Sequence, residues 1–380
     1  MQPSSDRSQS PLLNAVKVGP YQLRNRVVMS PMSRGRATFD DMPTALMGEY
    51  YGQRAGAGMI ITESVQVSRQ GKGYRNSPGI YSKAQMLAWS EIVQRVHQGG
   101  SVFFMQLWHC GRSSHPDLQE NGALPVAPSA IRPNVEVYTD TGPQAVPEPR
   151  ALETAEIAQI IEQYHQAALK ARAAGFDGIE VHAGNGFLLD QFLRDGTNQR
   201  TDRYGGSVEN RCRLLLEIIE ALIPVWGAQR IGVRIAPLST YGEIHDSNPE
   251  ALYAYLVGQL DSYGLAYLHL TEGELLSSRE VPGLDFHALR KRFKGPVISN
   301  NCYDFDQGNQ ALESGHADLI SFARLFAANP DLVERFRLGA PLNALDMDTL
   351  QSGQARGYTD YPTLAHNPAH TALGQTESTY

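Results

Sequence analysis

The residues best suited to chemistry sit in one run, 178–211, which reads GIEVHAGNGFLLDQFLRDGTNQRTDRYGGSVENR. It opens as a strand, with Gly178, Glu180 and His182 on one face and Ile179 and Val181 on the other. Ala183-Gly184 breaks that strand, and Asn185 follows His182 by three residues. An imidazole and a carboxamide therefore stand where a strand hands over to a loop. Two N–H donors so placed can converge on one oxygen and polarise a carbonyl. The plainer alternative is a core histidine satisfied by a nearby backbone group. A second signal is Gly232-Val233-Arg234-Ile235-Ala236. If Val233 and Ile235 face outwards, Arg234 points inwards, where a guanidinium is costly without an anionic partner. Gly232 and Ala236 on the same face would leave room for a ligand. Glu180, one strand away, is the alternative partner, and the two roles are compatible. Gln106 is a third candidate, because its amide offers both a donor and an acceptor.

These side chains need a frame. Residues 16–28 read as a hairpin turning at Gly19-Pro20 and leading into a strand at 26–30. Short apolar strands follow at 58–64, 102–108, 178–182, 231–236, 266–270, 296–299 and 318–322. Helical patterns intervene at 83–97, 154–174, 207–225, 249–262, 286–293 and 305–314, and a last one covers 330–337. Thr154 gives a capping signal at the start of the second of these, and Glu153 before it leaves the cap open between the two. Eight strands with intervening helices predict an α/β chain folded as a (β/α)₈ TIM barrel with an N-terminal hairpin. A doubly wound sheet is the alternative, but no G-x-G-x-x-G opening supports it. Residues 110–150 break the rhythm after the third strand, proline-rich and without periodicity, as a capping insertion would be. Residues 1–11 are expected to be disordered, 12–380 to form a single domain, and 363–380 to be a C-terminal tail.

Written as HxGNGxLLxQFLRDxxNxRxDxYGGSxENR, residues 182–211 resemble the signature of the Old Yellow Enzyme family of FMN-dependent ene reductases. The resemblance extends from Arg24 to about Pro362. It implies an FMN-binding barrel that uses NADPH or NADH to reduce the activated C=C bond of an α,β-unsaturated carbonyl compound. His182 and Asn185 would hold the carbonyl oxygen. The Ser30-Pro31-Met32-Ser33 backbone would lie against the flavin, with the Ser33 hydroxyl in place of a family threonine. Ser64 would face the cofactor, Gln106 would meet its uracil-like edge, and Arg234 would sit beside N1–C2=O. Asn301, Cys302, Ala323 and Arg324 would form the phosphate end. Trp108, Tyr74 and Gln351 would line the substrate site.

Three departures stand out. Phe187 occupies the usual position of a proton-donating tyrosine, and a phenyl ring cannot donate a proton. Tyr74 and Tyr241 are other hydroxyls that could serve. The glycines expected near Asn301-Cys302 and before Arg324 are absent, which makes positive φ less easy there. Gln351 replaces an aromatic residue. The alternative that Phe187 leaves open is a flavin-dependent isomerase or a nitro-compound reductase.

Composition narrows the classes. The chain has 380 residues, 42% hydrophobic and 19% charged, as in ordinary globular proteins. A net charge of −7 argues against nucleic acid as a partner. Cys110, Cys212 and Cys302 are too scattered for a disulfide framework or a metal cluster, and no metal is expected. They fit a reducing compartment. The start, MQPSSDRSQSPLL, lacks a signal-peptide pattern, and no stretch is long enough to span a membrane. The expectation is a cytoplasmic monomer or homodimer acting on a small enone-type molecule, with neither nucleic acid nor membrane as partner.

Overall fold

The computed structural model describes residues 7–274 and 278–366. Eight parallel strands close into a barrel: β1 (Val27–Met29), β2 (Met59–Gln66), β3 (Val102–Trp108), β4 (Gly178–Ala183), β5 (Ile231–Ile235), β6 (Tyr267–Thr271), β7 (Val297–Asn300) and β8 (Leu319–Phe322). The ring shuts where Ile320, Ser321 and Phe322 pair with Val27, Val28 and Met29. A closed ring of sequential strands rules out the open doubly wound sheet.

The inner face is layered. Val28, Met59, Ile61, Phe104, Tyr267, Ile298 and Leu319 form an apolar plug at the N-terminal end. The hairpin Val16–Val18/Tyr21–Leu23 seals that end with Val18 and Leu23. With the lower end filled, chemistry is left to the C-terminal ends of the strands. Gly178 and Gly232 serve the plug, since a Cβ on either would stand within 2.3 Å of the Phe104 or Tyr267 ring. The space beside Gly232 thus belongs to Tyr267 and not to a ligand. Ala236 packs against Gly184, where a Cβ would meet it at 2.9 Å.

One irregularity sets the inner face of β2. Its pairing with β3 slips between Ile61 and Ser64. Strict alternation from Ile61 would aim Glu63 inwards; the extra residue gives that place to Ser64, paired with Gln106. Glu63 turns outwards instead, buried against Tyr51 of the helix Ala45–Gln53.

The outer helices follow the expected alternation, and Pro249–Ser262 coincides with its predicted span. Helix Thr154–Ala173 is capped by Glu153 in a reciprocal capping box with Glu156, so Thr154 is its first residue and not its cap. Residues 7–11, expected to be disordered, form 3-10 turns at Arg7–Gln9 and Pro11–Leu13. Asn309 Oδ1 accepts from Ser10 Oγ at 2.6 Å and from the Leu12 amide at 3.0 Å, and Leu12 is buried. Residues 1–6 and 367–380 lie outside the described residues, so most of the expected tail does too.

The insertion after β3 carries short strands of its own. Val126–Ala127 pairs with Arg150–Ala151, and Glu136–Thr139 with Gly142–Ala145. Among the described residues no helix is long and apolar enough to cross a membrane.

Candidate active site

Above the plug lies a hydrogen-bonded polar layer. Ser64 Oγ donates to Gln106 Oε1 at 2.8 Å, and Gln106 Nε2 donates to Glu180 Oε1 at 2.7 Å. Glu180 Oε2 lies 2.8 Å from His269 Nδ1, and His269 Nε2 lies 2.8 Å from Ser321 Oγ. All five side chains are buried. Burial pushes the Glu180 carboxyl up, but His269, Arg234 and Gln106 outweigh it and hold the group below the ordinary carboxylate range. Burial holds His269 below the usual imidazole value, against the pull of Glu180. We read the pair as an ionised Glu180 accepting from a neutral imidazole, with Arg234 as the balancing charge.

Arg234 projects from β5 beside His182 of β4. Its guanidinium donates to Thr271 Oγ1 at 3.3 Å, Ser30 Oγ at 3.2 Å and Asn300 Oδ1 at 3.0 Å. The direct salt bridge to Glu180 does not form, because that carboxylate is already engaged by His269 and Gln106. Among the described residues Arg234 therefore has neutral hydrogen-bond partners only, although it is 4% exposed. A buried cation in this state favours an anionic ligand beside it.

His182 ends the same face. Burial, followed by the positive charge of Arg234, holds its imidazole well below the ordinary value, so the ring is neutral. Its Nδ1 and Asn185 Oδ1 are buried without a hydrogen-bond partner among the described residues. Native proteins rarely leave such atoms unpaired without a reason. Asn185 and Gly186 both take positive φ, 56° and 77°, which swings the chain off β4 into the helix Leu188–Leu193. The rest of the signature braces this turn. Asp190 Oδ2 accepts from the Gly186 amide at 2.9 Å, and Gln191 Nε2 donates to the Gly186 carbonyl at 2.8 Å. Arg194 holds Asp190 at 2.8 Å in a buried ion pair.

A cavity of about 1180 Å³ opens over these groups. Pro31, Ser33, Ser64, Gln106 and Arg234 line it, and so do His182, Asn185, Phe187, Tyr74 and Gln351. The sequence candidates for cofactor and substrate thus share one space. The Ser30 hydroxyl accepts from Arg234, and the Met32 side chain packs against the outer core. Trp108 is fully buried behind the wall, stacked on Tyr74 at 5.4 Å and edge-on to Phe187 at 5.1 Å. It supports the lining and is not part of it.

Gln351 reaches the mouth on a segment strapped by two arginines. Arg34 donates to the carbonyls of Leu350 and Gly357 at 2.7 and 2.8 Å. Arg36 donates to those of Thr349 and Gln354 at 2.7 and 3.2 Å. Gly35 is required between them, since a Cβ there would lie 2.7 Å from the Gln351 carbonyl oxygen.

Asn301, Cys302, Ala323 and Arg324 lie past the ends of β7 and β8, outside that cavity. Asn301 and Cys302 adopt φ of 100° and 51°, so non-glycine residues hold the backbone where glycine was expected. Asn301 Nδ2 compensates by donating to the carbonyls of Glu272 and Glu274 at 2.7 and 2.8 Å. Arg324 is exposed. Sequence reasoning missed His269, Thr271, Asn300 and Ser321. Their signal was a polar residue at inward positions of otherwise apolar strands, as in Tyr267-Leu268-His269-Leu270-Thr271.

The unpartnered polar atoms of His182 and Asn185, the buried cation and the fixed Gln106 amide fit a planar cofactor with an anionic edge. Comparison with known proteins agrees. A model of the NADH:flavin oxidoreductase / NADH oxidase family matches residues 11–343. The chain is 41% identical over 359 residues to 12-oxophytodienoate reductase 1 of Oryza sativa subsp. japonica, covering 93% of each chain. It is similar to the structure of morphinone reductase in complex with tetrahydroNAD, with a TM-score of 0.89 and 44% identity, covering 94% of this chain and 98% of that one. The old yellow enzyme homologue from Zymomonas mobilis gives a TM-score of 0.89 at 41% identity, covering 92% and 99%. The chain belongs to the NADH:flavin oxidoreductase / NADH oxidase family, the Old Yellow Enzyme family whose signature its residues 182–211 resemble.

Proposed function

We propose that this protein reduces the activated C=C bond of α,β-unsaturated carbonyl compounds with hydride drawn from NADPH or NADH. A bound FMN would supply the hydride-transfer chemistry between nicotinamide and alkene. The observation that carries the reading is His182 Nδ1, buried and unpartnered, with the Asn185 carboxamide beside it in the cavity lining and a buried Arg234 that makes no ion pair. His182 and Asn185 hold the substrate's carbonyl oxygen and stabilise the enolate that forms on it. Because His182 is neutral, it acts as a hydrogen-bond donor and not as an acid.

Gln106, held by Ser64 and Glu180, presents its amide to the uracil-like edge of the cofactor. Arg234 would supply the positive charge for the cofactor's anionic edge. Asn301, Cys302, Ala323 and Arg324 hold the phosphate end. The barrel and the 110–150 insertion act as one FMN-binding domain within 12–380. Relatives named as reductases of 12-oxophytodienoate and of morphinone support the reaction class. The same relatives favour alkene reduction over the isomerase or nitro-reductase alternative that Phe187 left open. We further place the protein in the cytoplasm, as a monomer or homodimer acting on small molecules.

Purified protein should be yellow, release FMN on denaturation, bleach with NADPH or NADH under anaerobic conditions and recolour with 2-cyclohexenone. Colourless protein that cannot be reconstituted with FMN overturns the reading.

A further inference from the structure

Alkene reduction needs a proton at the α-carbon, and the phenyl ring of Phe187 has none to give. The structure surrounds that ring with two phenols. The Tyr74 and Tyr241 rings each lie 6.2 Å from Phe187, one edge-on and one tilted, and all three line the cavity with His182 and Asn185. His182 is 5.3 Å from Phe187 on the same side.

Both tyrosines are anchored. Tyr74 stacks on Trp108. Tyr241 sits in a 3-10 turn pressed on the oxyanion turn, where a Cβ on Gly186 would lie 2.6 Å from the Tyr241 carbonyl oxygen. Arg112 steadies this turn by donating to the Gly242 carbonyl at 2.6 Å. Burial raises both phenols, and the interaction between their hydroxyls adds to the rise at Tyr74, which lies well above the ordinary value, and partly offsets it at Tyr241. Of the two, Tyr241 is raised less and gives up its proton more readily, and it sits on the oxyanion turn. Tyr74, Cys110 and His182 are the titratable groups packed around this site, with Arg112 and Glu243 beyond Gly242.

We propose that Tyr241 is the general acid of the reaction and that Tyr74 is its positioning residue. The inference rests on the alkene-reductase reading. Hydride arrives at the β-carbon with its electron pair, leaving an enolate whose oxygen is held by His182 and Asn185. The Tyr241 O–H bond breaks as the α-carbon C–H bond forms. The resulting phenolate is stabilised by the hydrogen bond from Tyr74 and is reprotonated by water.

A nitroalkene separates the two events, because its nitronate product is stable enough to be followed by absorbance. Tyr241→Phe slows nitronate decay relative to nitronate formation by about 10²-fold, the low end of general acid catalysis. Tyr74→Phe slows it by about severalfold, since the acid itself remains. Adding Phe187→Tyr to Tyr241→Phe restores decay. Site-specific replacement of Tyr241 by difluorotyrosine keeps the ring's shape but lowers its phenol pKa, and moves the alkaline fall-off of decay to lower pH. Nitronate that decays at the wild-type rate in Tyr241→Phe, or a pH profile unmoved by fluorination, overturns the proposal alone. A wild-type enzyme that never forms nitronate overturns the reductase reading and the proposal with it.

Discussion

Glu180 and His182 point the same way from one strand, two residues apart, yet their surroundings are opposite. Both Glu180 oxygens are engaged within the protein, one by Gln106 and one by His269. His182 Nδ1 is buried with no partner, as is Asn185 Oδ1 three residues on. The first arrangement completes the protein: it fixes the Gln106 amide and balances Arg234. The second is completed only by a ligand. A barrel interior can thus keep one polar layer for orientation and the next for binding, and the accounting of buried polar atoms tells them apart.

The largest expected effect is on rate. Removing one oxyanion donor typically costs about 10²–10³-fold, or about 3–4 kcal/mol. His182→Ala and Asn185→Ala should each lower kcat/KM for an enone by that order. Because these atoms are unpartnered, the melting temperature should move little. A variant that loses stability but keeps its rate would place the pair in the structural layer and break the contrast.

Glu180→Leu should do the reverse. It leaves His269 and Gln106 without their acceptor and Arg234 without its balancing charge, so urea unfolding should show a loss of about 3–5 kcal/mol. A loss below about 1 kcal/mol would mean that the layer is not held by this carboxylate. The pH sign follows from its lowered pKa. The folded value lies below the ordinary 4.5, so the stabilisation is present above that value and is lost as pH falls through the folded one.

A smaller effect sharpens the contrast from outside the barrel. Glu63 is as buried as Glu180 but has no ion-pair partner among the described residues, and burial raises its carboxyl from 4.5 to about 7. Its folded pKa lies above the unfolded one, so the associated stability is full below about 4.5 and is lost as pH rises through about 7. At 1.36 kcal/mol per unit this amounts to about 3 kcal/mol at most. Unfolding measured at pH 5 and pH 8 should show the loss, and Glu63→Gln should flatten it. An unchanged pH dependence in Glu63→Gln assigns the titration to another group.

Much of this was legible because strands impose a two-residue period. That period aimed Arg234 and His182 inwards, and the alternation of short apolar strands with helices predicted the barrel. The period alone does not reach Ser64, which came from the family resemblance, because the period itself breaks there. The slip between Ile61 and Ser64 exchanges Glu63 for Ser64, and nothing in the local sequence announces it. The helix Ala45–Gln53 escaped notice because it buries Met47, Gly48, Tyr50 and Tyr51 together, which blurs its amphipathic stripe. Gly232 was read as room for a ligand because its occupant, Tyr267, comes from the neighbouring strand. His269 was visible in the sequence but had no partner until the fold brought Glu180 to it.

The central claim is that His182 and Asn185 converge on one ligand oxygen over FMN. It is tested most directly by titrating the oxidised protein with a para-substituted phenol and recording the visible spectrum. The account predicts that the phenol binds as phenolate and produces a long-wavelength charge-transfer band. The band should be abolished in the His182→Ala/Asn185→Ala double variant while bound FMN is retained. A band of undiminished intensity and affinity in that variant would contradict the account.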